Sequence, residues 1–225
     1  MARLTSISEI DPIPKRIYTN HLTLWRDVRS EISRLGTDAN LNHLDVSEIT
    51  NMFSLFCATG FCGDVSLWDV TNVSVMEGMF AHTKFNGDLS LWDTKNLKNA
   101  NSMFMGSNFN SDIRNWNVEN FRYMNLMFAS TPFNYDISGW QLYKPIGMSN
   151  MFWGCDITFC MDKLAERITE NTDVTGILDN TPKYKFSRSV FRKKSTELKR
   201  IANETDTSDI IRNIKTETYD SENVI

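Results

Sequence analysis

The sequence predicts an α/β repeat fold: a stack of short coils, each holding one short strand and one short helical turn, with helical caps and a charged C-terminal arm. Three observations carry that prediction. Aromatic residues recur every 24 positions, as Trp68, Trp92, Trp116 and Trp140 and as Phe56, Phe80, Phe104, Phe128 and Phe152. A second Phe row, five residues on, holds Phe61, Phe85, Phe109 and Phe133. Polar residues keep the same step, with Asp64, Asp88, Asp112 and Asp136 each followed by an aliphatic residue, and with Asn86, Asn110 and Asn134 two positions before the last three of these. A period of this size marks stacked units, none of which can bury its apolar face alone.

Within a unit the spacing divides the work. Around the Asp-aliphatic-x-x-Trp positions the apolar residues stand two or three apart, which predicts an extended segment and a strand ladder. In NVSVMEGMF they fall at Val73, Met76, Met79 and Phe80, a spacing that predicts one face of a helix of about two turns. The Trp and Phe rows are the expected core. The Asp and Asn rows are expected to form a ladder of turns, bonding nearby backbone or that of the next coil. A calcium ladder is the competing reading, but one carboxylate per coil falls short of the six to eight oxygens, or about that number, that calcium takes.

These residues carry a resemblance. FNGDLSLWDTKNL and SLWDVTNVSVMEGMF resemble the BspA-type repeat in its tryptophan-containing form, first catalogued as a mycoplasma domain of unknown function. NLNHLDVSEITNMFSLF resembles the first, capping unit of such proteins, so the likeness runs from about Asn40 to Cys155. The chain departs from the pattern at Thr94, Ala100, Gln141 and Phe61-Cys62-Gly63. The resemblance implies a right-handed leucine-rich-repeat-like solenoid, a binding role and no enzymatic activity. It also points towards bacterial surface proteins that contact hosts or other cells.

Taken in order, residues 1–40 are expected to form an extended lead-in, marked by DPIP, and a capping helix. Asn20 is the candidate N-cap; Leu24, Val28, Ile32 and Leu35 form the apolar stripe, and Gly36 ends the helix. That helix is expected across the open end of the first coil, with a surface helix for a partner as the alternative. Residues 41–164 are the repeat array of about five coils. Residues 165–182 read as cap and linker, punctuated by Gly176, Asn180 and Pro182.

Residues 183–225 form the charged arm. Lys183, Lys185, Arg188, Arg192, Lys193, Lys194, Lys199 and Arg200 face a lone Glu197, with Phe186, Val190, Phe191, Leu198 and Ile201 interleaved. From Glu204 the sign reverses. Such a basic segment suits nucleic acid or anionic lipid, docking on a partner protein, or packing against the chain's own acidic stretches.

The remaining chemistry is sparse. His21, His43 and His82 fall at unrelated positions, and there is no phosphate-binding glycine loop, HExxH or CxxC. No cofactor or metal is therefore expected, and no enzyme. Cys57/Cys62 and Cys155/Cys160 lie at opposite ends of the array, roughly 20 Å apart at the strand spacing, too far for one zinc site. They are expected as free thiols acting as small buried hydrophobes. The start of the chain shows no secretory signal, and no run reaches the 18 or so apolar residues of a membrane span. Location is expected to be cytoplasmic or virion-associated.

The expected function is a protein-protein interaction or structural module, including a bacteriophage virion or assembly component of the same fold; nucleic-acid binding through Lys183–Arg200 is the alternative class. The positions flanking the Trp row vary while their neighbours hold: Ser66, Ser90, Arg114 and Ser138, then Leu67, Leu91, Asn115 and Gly139. Lys98, Arg114 and Arg122 are the candidate binding residues on that ladder.

Overall fold

The structure is a computed structural model that describes residues 16–181 and, beyond them, Thr196, Glu197 and Arg200. The first helix, α1, runs His21–Leu35. The Asn20 side chain accepts from the N–H groups of Leu22 and Thr23, and the Gly36 N–H donates to Ile32 with Gly36 at φ 101°. Leu24 and Val28 are fully buried and Ile32 packs beside them, while Leu35 at the end of the predicted stripe is exposed. The helix lies against the first unit of the stack. His21 Nε2 bonds to the Phe53 carbonyl at 2.8 Å, and Arg29 donates to the Cys57 carbonyl at 3.2 Å. Just before α1, Ile17 forms a parallel bridge with Asp45.

Successive units stack in parallel. Bridges join Asn51, Val75, Asn99, Tyr123 and Gly147 in turn, each 24 residues from the last. This ladder stands immediately before the Met52, Met76, Ala100, Met124 and Met148 row, not at the predicted Asp-aliphatic positions, where Asn40–Asp64 is the bridge formed. The predicted helical turn is also replaced. From Met76 to His82 the chain is a run of turns, with Met79 N–H bonded to Met76 O and Ala81 N–H to Gly78 O.

The reason lies in the backbone. Two positions per unit are left-handed: Ser54, Gly78, Ser102, Leu126, Asn150 and Gly176 in one row, and Ala58, His82, Gly106, Ser130, Gly154 and Asn180 in the other. A helix needs negative φ throughout and would use up its own N–H groups. The turn run leaves alternate N–H groups free to reach the next unit. Met76, Gly78, Phe80 and His82 donate to the carbonyls of Asn99, Asn101, Met103 and Met105 at 2.8–2.9 Å. The same four bonds recur from unit to unit, so each unit is tied to the next along this edge.

Inside the stack, side chains of one row pile up. Phe56, Phe80, Phe104, Phe128 and Phe152 stack ring on ring with centroids 5.2–5.8 Å apart. Phe61, Phe85, Phe109 and Phe133 do the same at 5.9–6.3 Å. The two rows also face each other within a unit, Phe104 and Phe109 at 3.7 Å. All these rings are fully buried, and each such burial contributes about 1.5–3 kcal/mol.

The stack does not stop at residue 164. Gly147 bridges Asp173, and Met148, Asn150, Phe152 and Gly154 donate to Asp173, Thr175, Ile177 and Asp179. Residues 173–181, read from the sequence as linker, thus form another unit, with Ile177 and Leu178 buried at the Met-Phe positions. Its step is 26 residues, not 24. The two extra residues fall beside the second helix, α2, at Asp162–Ala165, where Leu164 is buried at the Trp position.

All four cysteines are free. Cys155 alone is buried; Cys62 and Cys160 are exposed, because they occupy the Asn and Asp positions of the polar turns. Within the basic arm, Arg200 is described and pairs with Glu197 at 2.7 Å. Lys183, Lys185, Arg188, Arg192, Lys193, Lys194 and Lys199 lie outside the described residues, as do residues 1–15 of the lead-in.

Candidate functional site

The predicted site residues fall into separate layers. The Trp row is interior: Trp68, Trp92, Trp116 and Trp140 are buried, and each indole N–H donates to the carbonyl of the aliphatic residue 27 positions back. Those acceptors are Leu41, Val65, Leu89 and Ile113, at 2.9–3.3 Å. A large side chain with one donor suits this place, since it fills the core and satisfies a carbonyl that stacking removes from water.

The two polar rows divide the remaining backbone. Asp64, Asp88, Asp112 and Asp136 accept from the N–H two residues on, closing a turn within their own unit. Asn86, Asn110 and Asn134 instead accept from the N–H of Asn110, Asn134 and Thr158, one unit along. The Ser66 N–H holds the Asp64 carboxyl below the usual range. Among the described residues no group of three or more His, Cys, Asp and Glu is placed to hold a metal ion.

Lys98 and Arg122 are neighbours in successive units, the Arg122 N–H bonding to the Lys98 carbonyl at 2.9 Å, whereas Arg114 is engaged elsewhere, with Asp112. Arg114 forms a two-pronged pair with Asp112, Nε to Oδ1 at 2.9 Å and Nη2 to Oδ2 at 2.7 Å. This pair, with the Arg114 backbone N–H, draws the Asp112 carboxyl down to about 2. Arg122 is a clamp. Its Nη1 donates to the carbonyls of Glu119, Phe121 and Tyr143 at 2.7–3.1 Å, so it ties its own unit to the next and its guanidinium is engaged. Lys98 is exposed on the bridge side of the unit, its carbonyl taking the N–H groups of Arg122 and Tyr123.

Arg114 does line a groove of about 380 Å³. Its buried lining is Trp116, Val118, Trp140 and Leu142; its exposed lining includes Asn117, Glu119, Gly139, Gln141, Tyr143 and Arg167. The groove opens where the exposed row reaches Gly139. Earlier units carry Leu67 and Leu91 at that position, whereas a Cβ placed on Gly139 would meet nothing within 4 Å. Arg167 donates to Gln141 Oε1 at 2.6 Å, and Gln141 in turn donates to the Gly139 carbonyl at 2.9 Å. Sequence reasoning found Arg114 and Gly139 but missed Arg167. The two-residue insertion removes Arg167 from any row, so periodicity carries no signal for it.

A family model described as "Mycoplasma protein of unknown function, DUF285" matches three overlapping stretches of the chain, residues 27–130, 61–165 and 105–191. Together they run from 27 to 191, well over half of the 225 residues. The chain belongs to this family. Overlapping matches are what a repeated motif gives, and the DUF285 stretches run from within α1 through the last described unit. No curated protein and no solved structure matches the chain. Among the described residues, no helix is long and apolar enough to cross a membrane.

Proposed function

We propose that the stack is a short, right-handed leucine-rich-repeat-like solenoid of the BspA type, working as a non-enzymatic protein-binding or structural module. One observation carries this reading: the interior rows repeat almost without change, while the exposed positions beside them vary from Ser to Arg and from Leu to Gly. Buried rows keep the shape, which leaves the outer face free to differ from unit to unit. The partner is a protein, alone or within a larger assembly such as a virion.

The test is affinity capture from the native source with the full chain, with proteins and nucleic acid both analysed. A parallel capture uses the double variant Lys98→Glu, Arg114→Glu. A protein retained by the wild-type chain and weakened at least about tenfold by the variant is the expected result. Nucleic acid recovered alone, with retention that collapses as salt rises, would favour the basic arm and overturn the reading.

A further inference from the structure

We propose that the groove beside Gly139 docks a carboxylate-bearing segment of a partner protein, with Arg167 as its anchor. The inference rests on the protein-binding reading and names the chemistry of the partner. Arg167 is exposed and forms no ion pair among the described residues. Its side-chain bond among the described residues goes to a neutral amide oxygen, that of Gln141. A guanidinium has five N–H donors in a planar fork that matches a carboxylate, so most of its capacity is unspent. The Gln141 link to the Gly139 carbonyl holds the group at the groove in advance of binding.

Arg114 stands on the same groove with its Nη1 outside the Asp112 pair. Arg114 is exposed and Asp112 partly so, which screens their pair and leaves Nη1 facing solvent-accessible space. Against these two cations the lining offers a single carboxylate, Glu119. The apolar lining of Trp116, Val118, Trp140 and Leu142 gives a peptide side chain somewhere to go. A small inorganic anion would leave that surface unused.

Gly139 supplies the decisive variant. Leu is already the residue at this position in two earlier units, and there is open space above Gly139. Gly139→Leu should therefore set a large side chain at the edge of the groove without disturbing the stack. Displayed random octapeptides are selected against the full chain, and the enriched peptides are then measured on wild type, Gly139→Leu and Arg167→Gln. The expected peptides carry Asp or Glu and lose at least about tenfold in affinity on each variant, with unfolding midpoints unchanged. Failure to enrich, enrichment without acidic residues, or wild-type affinity on either variant overturns the proposal. A concentration-dependent dimer abolished by Gly139→Leu would assign the groove to a second copy and also overturn it. A native partner captured equally by wild type and Gly139→Leu would remove the groove while leaving the protein-binding reading in place.

Discussion

From Asp136 to Cys155 the chain holds its predecessor through an indole, Trp140, bonded back to Ile113. From Cys160 to Thr181 there is no indole: Leu164 fills the Trp position from the single turn of α2, and two extra residues interrupt the frame. The turn-run ladder is nonetheless the same in both. Leu126, Phe128 and Ser130 donate to Ser149, Met151 and Trp153, just as Asn150, Phe152 and Gly154 donate to Thr175, Ile177 and Asp179. The hydroxyl bond of Thr131 to the Phe128 carbonyl, one unit before Cys155, returns as Thr181 to that of Leu178, while Cys155 takes the position between them and donates Sγ–H to the Phe128 carbonyl. The comparison teaches that backbone pairing along the turn run sets the register, while the Trp side of the unit accepts a helix and an insertion.

The largest expected effect contrasts the cores of the two regions. Phe104 is stacked between Phe80 and Phe128, so Phe104→Ala removes contacts on both faces and should cost about 3–5 kcal/mol. Leu178→Ala, in the last described unit, should fall at the low end of the range for such truncations, about 2 kcal/mol. Urea unfolding of the two variants checks the order; equal costs would mean that the end unit is packed as tightly as the middle.

Next comes the indole. Trp116→Phe keeps a ring in the core but leaves the Leu89 carbonyl without its donor, an expected loss of about 1–3 kcal/mol. If register rests on the turn run, near-ultraviolet spectra should change locally while amide exchange at Phe104 and Gly106 stays slow. Fast exchange at those amides would show that the Trp row is needed for register after all.

The smallest effect probes the left-handed positions directly. Ala58 and Gly106 share a row, with φ of 56° and 65°. Ala58→Gly should stabilise the chain by about 0.5–1 kcal/mol, because the exposed methyl group is held in a conformation unfavourable to it. Gly106→Ala should destabilise by about 1–2 kcal/mol, since its Cβ would also meet His82 Nδ1 at 2.7 Å. Thermal midpoints moving in the same direction would refute the shared left-handed role.

The sequence by itself determined the period, the buried rows and the ends of α1. Those features need only the residue types in order: Trp and Phe every 24 positions must be buried together, and Asn20 and Gly36 bracket a helix by local chemistry. It left open whether the Asp and Asn rows bond nearby backbone or the next coil; the Asp row does the first and the Asn row the second. The tertiary structure decided what those rows do to the backbone. Met76, Met79 and Phe80 are buried at helical spacing, yet the chain there is a turn run, because its alternate N–H groups are needed by the next unit and a helix would have consumed them. Arg122 reads as a free surface cation until the Tyr143 carbonyl of the next unit is brought to it. Residues 173–181 read as a linker because an insertion hides their phase, and they become a unit only when Gly147 offers an edge to pair with. Local residue types fix what is buried; only the neighbouring unit fixes where each backbone donor goes.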